Sequence, residues 1–296
     1  MTDRHHIVGL GEVLWDVFPA GPRFGGAPAN FVCSAAGVGG ISVHASMVSA
    51  VGRDSLGEKG LEEFRKRSVD ATHVVQLDLQ TGQVLVQLDA QGQASYQFLE
   101  DTAWDNVPWT TGLQTLAEKA DAVCFGTLGQ RSAVSRDTVR QFINSTPDGC
   151  LRILDINLRP PYWTDEVILG SLPLANVLKL NSDELPIVAS LLSLQGDEEE
   201  LMRQLLHKFS FQVAALTRGA MGSLLLSRTG ERSELPGQKI RVVDTVGAGD
   251  AFAAALTVGL LRNKPLAEVH SWADRIAAYV CTQAGATPEF PDEFRC

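Results

Sequence analysis

The run Asp244-Thr245-Val246-Gly247-Ala248-Gly249-Asp250-Ala251-Phe252 passes directly into an apolar, helix-like stretch ending at Leu261. Small residues at 247–249 let the backbone turn tightly and present successive N–H groups at a helix N-terminus. With the helix dipole behind it, such a turn stabilises an anion. Asp250 then falls in the first helical turn, at the mouth of that anion site. A carboxylate there can accept the proton of an attacking hydroxyl while the amides hold charge building on a transferring phosphoryl group. An Asp that merely caps a helix after a glycine-rich turn is an equally common use of the pattern. Spacing alone leaves both readings open.

Gly25-Gly26-Ala27-Pro28-Ala29-Asn30 is a second glycine turn feeding a helix, and Asn30 offers both a donor and an acceptor. Asp16, at the end of an early strand, is placed to accept hydrogen bonds from sugar hydroxyls or simply to face solvent. Three further groups follow later strands: Asp155-Ile156-Asn157-Leu158-Arg159, Asn181-Ser182-Asp183-Glu184, and Thr217-Arg218-Gly219-Ala220-Met221-Gly222. In an open parallel sheet the carboxyl ends of the strands line the ligand crevice. Arg159 could there pair with an oxyanion, and Glu184 could reach a metal or its waters. Each motif alone is ordinary turn and cap chemistry; their convergence on one sheet edge is what suggests a site.

Positioning these residues requires alternating strands and helices. The sequence predicts a buried strand running on into a more exposed one over 6–18, helices over 29–37 and 56–67, and a strand over 42–51. A hairpin follows at 84–88 and 94–99 about a turn at 90–93, with no helix after it. Beyond Trp109 a βα rhythm takes over: helices at 112–119, 135–144, 184–194, 198–209, 250–262 and 266–283, and strands at 122–126, 151–156, 176–180 and 212–216. That order implies a parallel sheet covered by helices on both faces. The hairpin and part of residues 13–29 would form a small β-lid.

Charge and composition exclude several classes. With 296 residues, 25 Lys+Arg and 35 Asp+Glu, the net charge is −10, and 45% of residues are hydrophobic. This is ordinary globular usage and lacks the basic stripe of a nucleic-acid binder. The five cysteines form no CxxC pair, so the reading is buried free thiols rather than a metal or redox motif. The N-terminus has no signal-like apolar core, and the apolar stretch 252–261 is about half the ~20 residues a membrane span needs. A cytoplasmic protein without membrane partners is expected. P-loop, protein-kinase, GxGxxG, HExxH and GxSxG motifs are all absent from the sequence.

Together, DTVGAGDAF and GGAPAN resemble the two signatures of the PfkB, or ribokinase-like, carbohydrate kinases, and the resemblance covers essentially the whole chain. GEVLWDVFP, AWDNVPW, DINLR, KLNSDEL and AYVCTQAGATPEFP resemble the bacterial fructokinase branch. The implied fold is α/β: a ribokinase-like three-layer sandwich with a mostly parallel central sheet, plus a small β-sheet lid. Residues 1–12, 30–82 and 105–296 would form the core, and 13–29 and 83–104 the lid.

The resemblance implies transfer of the ATP γ-phosphoryl group to a sugar hydroxyl, with fructose giving fructose 6-phosphate as the leading substrate. 2-Keto-3-deoxygluconate and a non-catalytic sugar sensor are the alternatives. Asp250 would be the base, with Gly247, Ala248 and Gly249 the anion hole. Asp16, Gly25, Gly26, Asn30 and Arg159 would contact the sugar; Asn181, Glu184, Thr217, Gly219, Gly222 and Gly249 would serve the nucleotide. Mg²⁺ would be held near Glu184 through water, and K⁺ by Asp244, Val246, Val280, Gln283 and Gly285. Glu289 stands where ribokinase has a serine ligand. Leu14 and Ala27 replace ribokinase's Asn and Lys, which disfavours ribose. Trp15, Tyr96, Phe98 and Trp104 are candidate apolar walls. The lid segment 83–104 has no Lys or Arg, which favours a neutral sugar, and the family habit implies a homodimer through the lid.

Overall fold

The computed structural model describes residues 4–18, 21–88 and 94–295, with side chains described outside 86–96. The first strand, β1 (His5–Leu10), shows why the sheet is buried. Its side chains alternate between two cores, Ile7 joining one and Val8 and Leu10 the other. Both faces are apolar because helices cover both.

Eight more strands complete this sheet: β4 (Val43–Gly52), β5 (Asp70–Leu77), β8 (Ala122–Gly126), β9 (Leu151–Asp155), β10 (Val177–Asn181), β11 (Val213–Thr217), β12 (Ser223–Ser227) and β13 (Arg232–Leu235). The order is β13-β12-β11-β10-β9-β8-β1-β4-β5, and every neighbouring pair is parallel except β11–β12 and β12–β13, so β12 alone is reversed. One face carries α1 (Ala27–Gly39), α2 (Ser55–Lys66), α8 (Ala248–Leu261) and α9 (Leu266–Cys281). The other carries α3 (Thr111–Ala117), α4 (Ala133–Asn144), α5 (Asp165–Ser171), α6 (Glu184–Leu191) and α7 (Glu198–Lys208).

A second sheet, ordered β3-β2-β6-β7, is built from β2 (Leu14–Phe18), β3 (Gly21–Gly25), β6 (Gly82–Leu88) and β7 (Ala94–Phe98). The chain therefore leaves the main sheet after Leu10 and enters the smaller one at Leu14. Gly11, at φ 145°, makes that corner, so the single run expected over 6–18 is two strands in two sheets.

Several elements differ from expectation. Residues 21–25 form a strand despite their Gly and Pro because β3 is an edge, where Pro22 breaks no interior ladder. β5, β12, β13 and α5 lie in segments whose short or mixed patterns announce no period. Helix α1 begins at Ala27, two residues earlier than expected, with Pro in its first turn. The turn expected at 90–93 lies outside the described residues. Among those described, no helix is long and apolar enough to cross a membrane. Cys33, Cys124 and Cys150 are buried free thiols as expected, and Cys281 is a half-buried one.

Candidate active site

The carboxyl ends of β1, β9, β10 and β11, the underside of the smaller sheet and the N-terminus of α8 surround one cleft of about 1250 Å³. The two glycine motifs meet there. Asn30 Nδ2 donates to Asp250 Oδ2 at 2.8 Å, joining residues 220 apart in sequence. Of the residues singled out above, Asp16, Gly26, Asn30, Arg159, Asn181, Thr217, Gly219, Gly222 and 246–250 line the cleft. Gly25 stands just behind it, where an added Cβ would lie 3.2 Å from Asp16 Oδ2.

The turn before α8 requires glycine at its hinge. Gly247 sits at φ 80°, and a Cβ there would lie 2.3 Å from the Ala286 carbonyl oxygen. Asp244 braces the same turn from below: its Oδ1 accepts the Val246 N–H at 3.0 Å and its Oδ2 the Gly285 N–H at 3.3 Å. Arg23, on strand β3 of the smaller sheet, approaches Asp244 Oδ2 at 3.6 Å. The Val280 carbonyl accepts the Gln283 N–H, and the Glu289 carbonyl accepts the Tyr279 hydroxyl.

Glu184 is not aimed into the cleft. It is buried, its Oε1 accepting the Leu158 N–H at 2.9 Å and its Oε2 the Asn181 N–H at 2.8 Å. Asn181 Oδ1 in turn accepts the N–H groups of Asp183 and Glu184, both at 2.9 Å. The pair therefore locks the β10–α6 turn and hangs the β9 exit loop from it.

Of the aromatic candidates whose side chains are described, only Phe98 lines the cleft. Strand alternation sends Leu14 and Asp16 toward the cleft and Trp15 the other way, where its Nε1 donates to the Leu56 carbonyl at 3.0 Å. Trp104 is buried under the guanidinium of Arg131, 4.1 Å from its ring centroid. The Tyr96 side chain lies outside the described residues.

The chain matches the pfkB family carbohydrate kinases over residues 11–293. It belongs to that family of carbohydrate kinases. The kinase is 32% identical to sugar kinase PH1459 of Pyrococcus horikoshii over 88% of this chain and 82% of that protein. An ATP complex of that uncharacterized sugar kinase superposes with a TM-score of 0.80, at 29% identity over 95% of this chain and 94% of the other. A fructokinase of Escherichia coli is 28% identical over 95% of both chains. An aminoimidazole riboside kinase of Salmonella typhimurium is 29% identical over 91% of this chain and 86% of that one. The fold expectation is borne out: the kinase has the ribokinase-like sandwich with its mostly parallel sheet and a small second sheet.

Two groups in the kinase's cleft escaped the sequence reading. Glu12 is buried in the corner between β1 and β2, and its Oε1 takes the Ala27 N–H at 3.3 Å. Among the described residues its Oε2 has no partner, and neither does Asn30 Oδ1. Burial drives the Glu12 carboxyl up to about 7. Lys179, on β10, is buried with its Nζ 2.9 and 3.0 Å from the two oxygens of Asp155 on β9. That ammonium lies directly beneath the anion turn, 3.0 Å from where a Gly249 Cβ would stand. Asp250 itself is pushed up to about 6, chiefly by burial and then by the Asp155 charge, against the pull of Lys179, Asn30 and Arg159. Burial also raises Asp16, against the pull of Arg159 and Arg23.

Proposed function

We propose that this kinase transfers the γ-phosphoryl group of ATP to a hydroxyl of fructose, giving fructose 6-phosphate and ADP, with Asp250 as the base. The observation that carries this reading is the Asn30–Asp250 bond. It unites the sugar-type turn at 25–30 with a carboxylate at the mouth of a helix N-terminus. The sugar would lie between Asp16, Asn30 and Arg159, using the open acceptor Asn30 Oδ1, with Leu14 and Phe98 as apolar walls. Asp250 takes the hydroxyl proton while the N–H groups of Gly247, Ala248 and Gly249 and the dipole of α8 hold the phosphoryl charge. ATP would run from that turn toward Asn181, Thr217, Gly219 and Gly222. The smaller sheet, drawn from 13–29 and 83–104, would act as a lid over the core segments 1–12, 30–82 and 105–296, excluding water so that ATP is not wasted on hydrolysis.

Mg²⁺, when bound, offsets charge on the phosphates. Glu184 is buried behind the cleft lining with both oxygens on backbone amides, so its link to the ion would run through water. K⁺ would sit beside Asp244, whose carboxylate takes the Val246 and Gly285 N–H groups and whose own N–H donates to the carbonyl of Cys281, the residue after Val280.

A second reading, 2-keto-3-deoxygluconate, draws on Arg159. It is exposed to the cleft and donates from one guanidinium nitrogen to the carbonyl of the preceding residue, Leu158, leaving further guanidinium donors for a substrate carboxylate. The test is ADP release from MgATP over fructose, 2-keto-3-deoxygluconate, aminoimidazole riboside and ribose, with and without K⁺. Fructose-dependent turnover supports the reading, and turnover confined to the keto acid replaces the substrate. Sugar binding without any turnover would leave a sensor.

Because a base must be unprotonated to act, a pKa raised to about 6 places the loss of activity on the acid side. The pH profile of kcat/KM should fall about tenfold per unit below pH 6 and level off above it. A profile flat down to pH 4.5 contradicts Asp250 as base. The kinase should also form a homodimer through the smaller sheet, covering its edge strands; light scattering at the mass of a single chain contradicts that arrangement.

A further inference from the structure

His270 sits outside the reacting groups yet touches three elements that lead to the cleft. It is the fifth residue of α9 and has no exposed surface. Its Nε2 lies 2.7 Å from Ser223 Oγ and its Nδ1 2.8 Å from Ser233 Oγ. Its ring meets that of Phe252 edge-on, with centroids 6.2 Å apart.

Each partner leads to the cleft. Ser223 opens β12 opposite Thr217 on β11 and lines the cleft beside Gly222. Ser233 belongs to β13, and the chain leaving β13 folds back on the 218–222 turn. Gly222 is held at φ 97° with a would-be Cβ 2.0 Å from the Leu235 carbonyl oxygen, so the two segments touch backbone to backbone. The segment that follows supplies residues 237–242 to the same wall, and α9 itself adds Ala277, Ala278 and Cys281. Phe252 stands two residues beyond Asp250 on α8.

The environment keeps the ring neutral. It faces Ser223 from β12, Ser233 from β13 and Phe252 from α8, with Asp274 the nearby charge on its own helix; burial outweighs that charge and draws the imidazole down to about 4. A neutral imidazole carries one N–H and one lone pair. One serine must therefore accept and the other donate, giving a directed Ser–His–Ser chain that neither a charged ring nor an apolar side chain reproduces.

We propose that His270 is a positioning residue for the nucleotide, pinning β12 and β13 to α8 and α9 so that the 217–222 turn and the 237–242 segment keep their spacing. The inference rests on reading that end of the cleft as the ATP end. It does not involve the sugar end: the described partners of His270 are Ser223, Ser233 and Phe252, not Asp16, Asn30 or Arg159.

The experiment measures KM for MgATP, KM for the sugar, kcat and MgADP affinity by calorimetry in the wild type and in His270→Phe, Ser223→Ala and Ser233→Ala. The expected result is an approximately tenfold rise in KM for MgATP and in the MgADP dissociation constant for His270→Phe, with smaller rises for the serine variants. KM for the sugar should stay within about twofold and kcat within about threefold. The serine variants remove one bond each and keep the question answerable if His270→Phe fails to fold. Unchanged nucleotide parameters in folded variants overturn the inference while leaving the ATP reading intact, as does a parallel loss in both substrates. Wild-type protein that binds no MgADP overturns both.

Discussion

Asp250→Asn lowers kcat by roughly 10²–10⁴-fold, the range a positioned general base contributes, and leaves KM for MgATP within about threefold. The side chains are nearly isosteric, and the amide oxygen of Asn can still accept the 2.8 Å bond from Asn30 Nδ2. The anion turn upstream is fixed by Gly247 and Asp244 rather than by Asp250, so nucleotide affinity should survive. Stability should not fall either. The native carboxyl is raised from 3.8 to about 6, so the folded state holds its proton more tightly than the unfolded chain does. Between those values folding loses stability as pH rises, and above pH 6 the ionised carboxylate is a net burden on the fold. Thermal unfolding at pH 7.5 should therefore show Asp250→Asn at or above the wild type. A variant with near-normal kcat sinks the assignment; one that melts early shows that Asp250 holds the turn instead.

Lys179→Met should cost about 3–5 kcal/mol in urea unfolding, the usual consequence of stranding one member of a buried ion pair. Here the stranded group is Asp155, 4% exposed, which loses both of its contacts to Nζ. The double variant Lys179→Met/Asp155→Leu should recover most of that loss, because a buried pair is often replaceable by packed apolar groups. The acid limb adds a second signature. Lys179 lowers the Asp250 pKa and Asp155 raises it. Removing Lys179 alone should shift the limb to higher pH, while removing both should return it toward the wild-type position. Unfolding of Lys179→Met within 1 kcal/mol of the wild type would mean that water already reaches the pair.

The parts of the site that could be read from the sequence are those whose chemistry is local. Gly247 and Asp250 belong to one turn, and the need for small residues before a helix is written in adjacent letters. Asn181 and Glu184 likewise close on each other within three residues. The pairing of Lys179 with Asp155 could not be read this way, because the two lie 24 residues apart on separate strands and meet only through the β9–β10 register. Glu12 was hidden for a similar reason: its partner Ala27 is brought to it by a change of sheet. Trp15 has the chemistry of a cleft wall, yet strand parity turns it away and puts Leu14 there. In the fold, long buried runs such as β1 and β4 announced themselves. β3, β12 and β13 owe their extended form to neighbours across a ladder rather than to their own residues.

The bond between Asn30 and Asp250 spans most of the polypeptide, and α1 packs against α8 in the same core. Such a long loop closes late during folding, since its entropy must be overcome before the contact returns anything. During synthesis the sugar-facing turn and most of the main sheet would be complete well before the base emerges. A chain stopped short of α8 could thus acquire much of its architecture while holding no carboxylate at position 250. Turnover is accordingly a stringent reporter of full-length, correctly closed molecules, and in a refolding experiment it should recover after most of the secondary structure has returned.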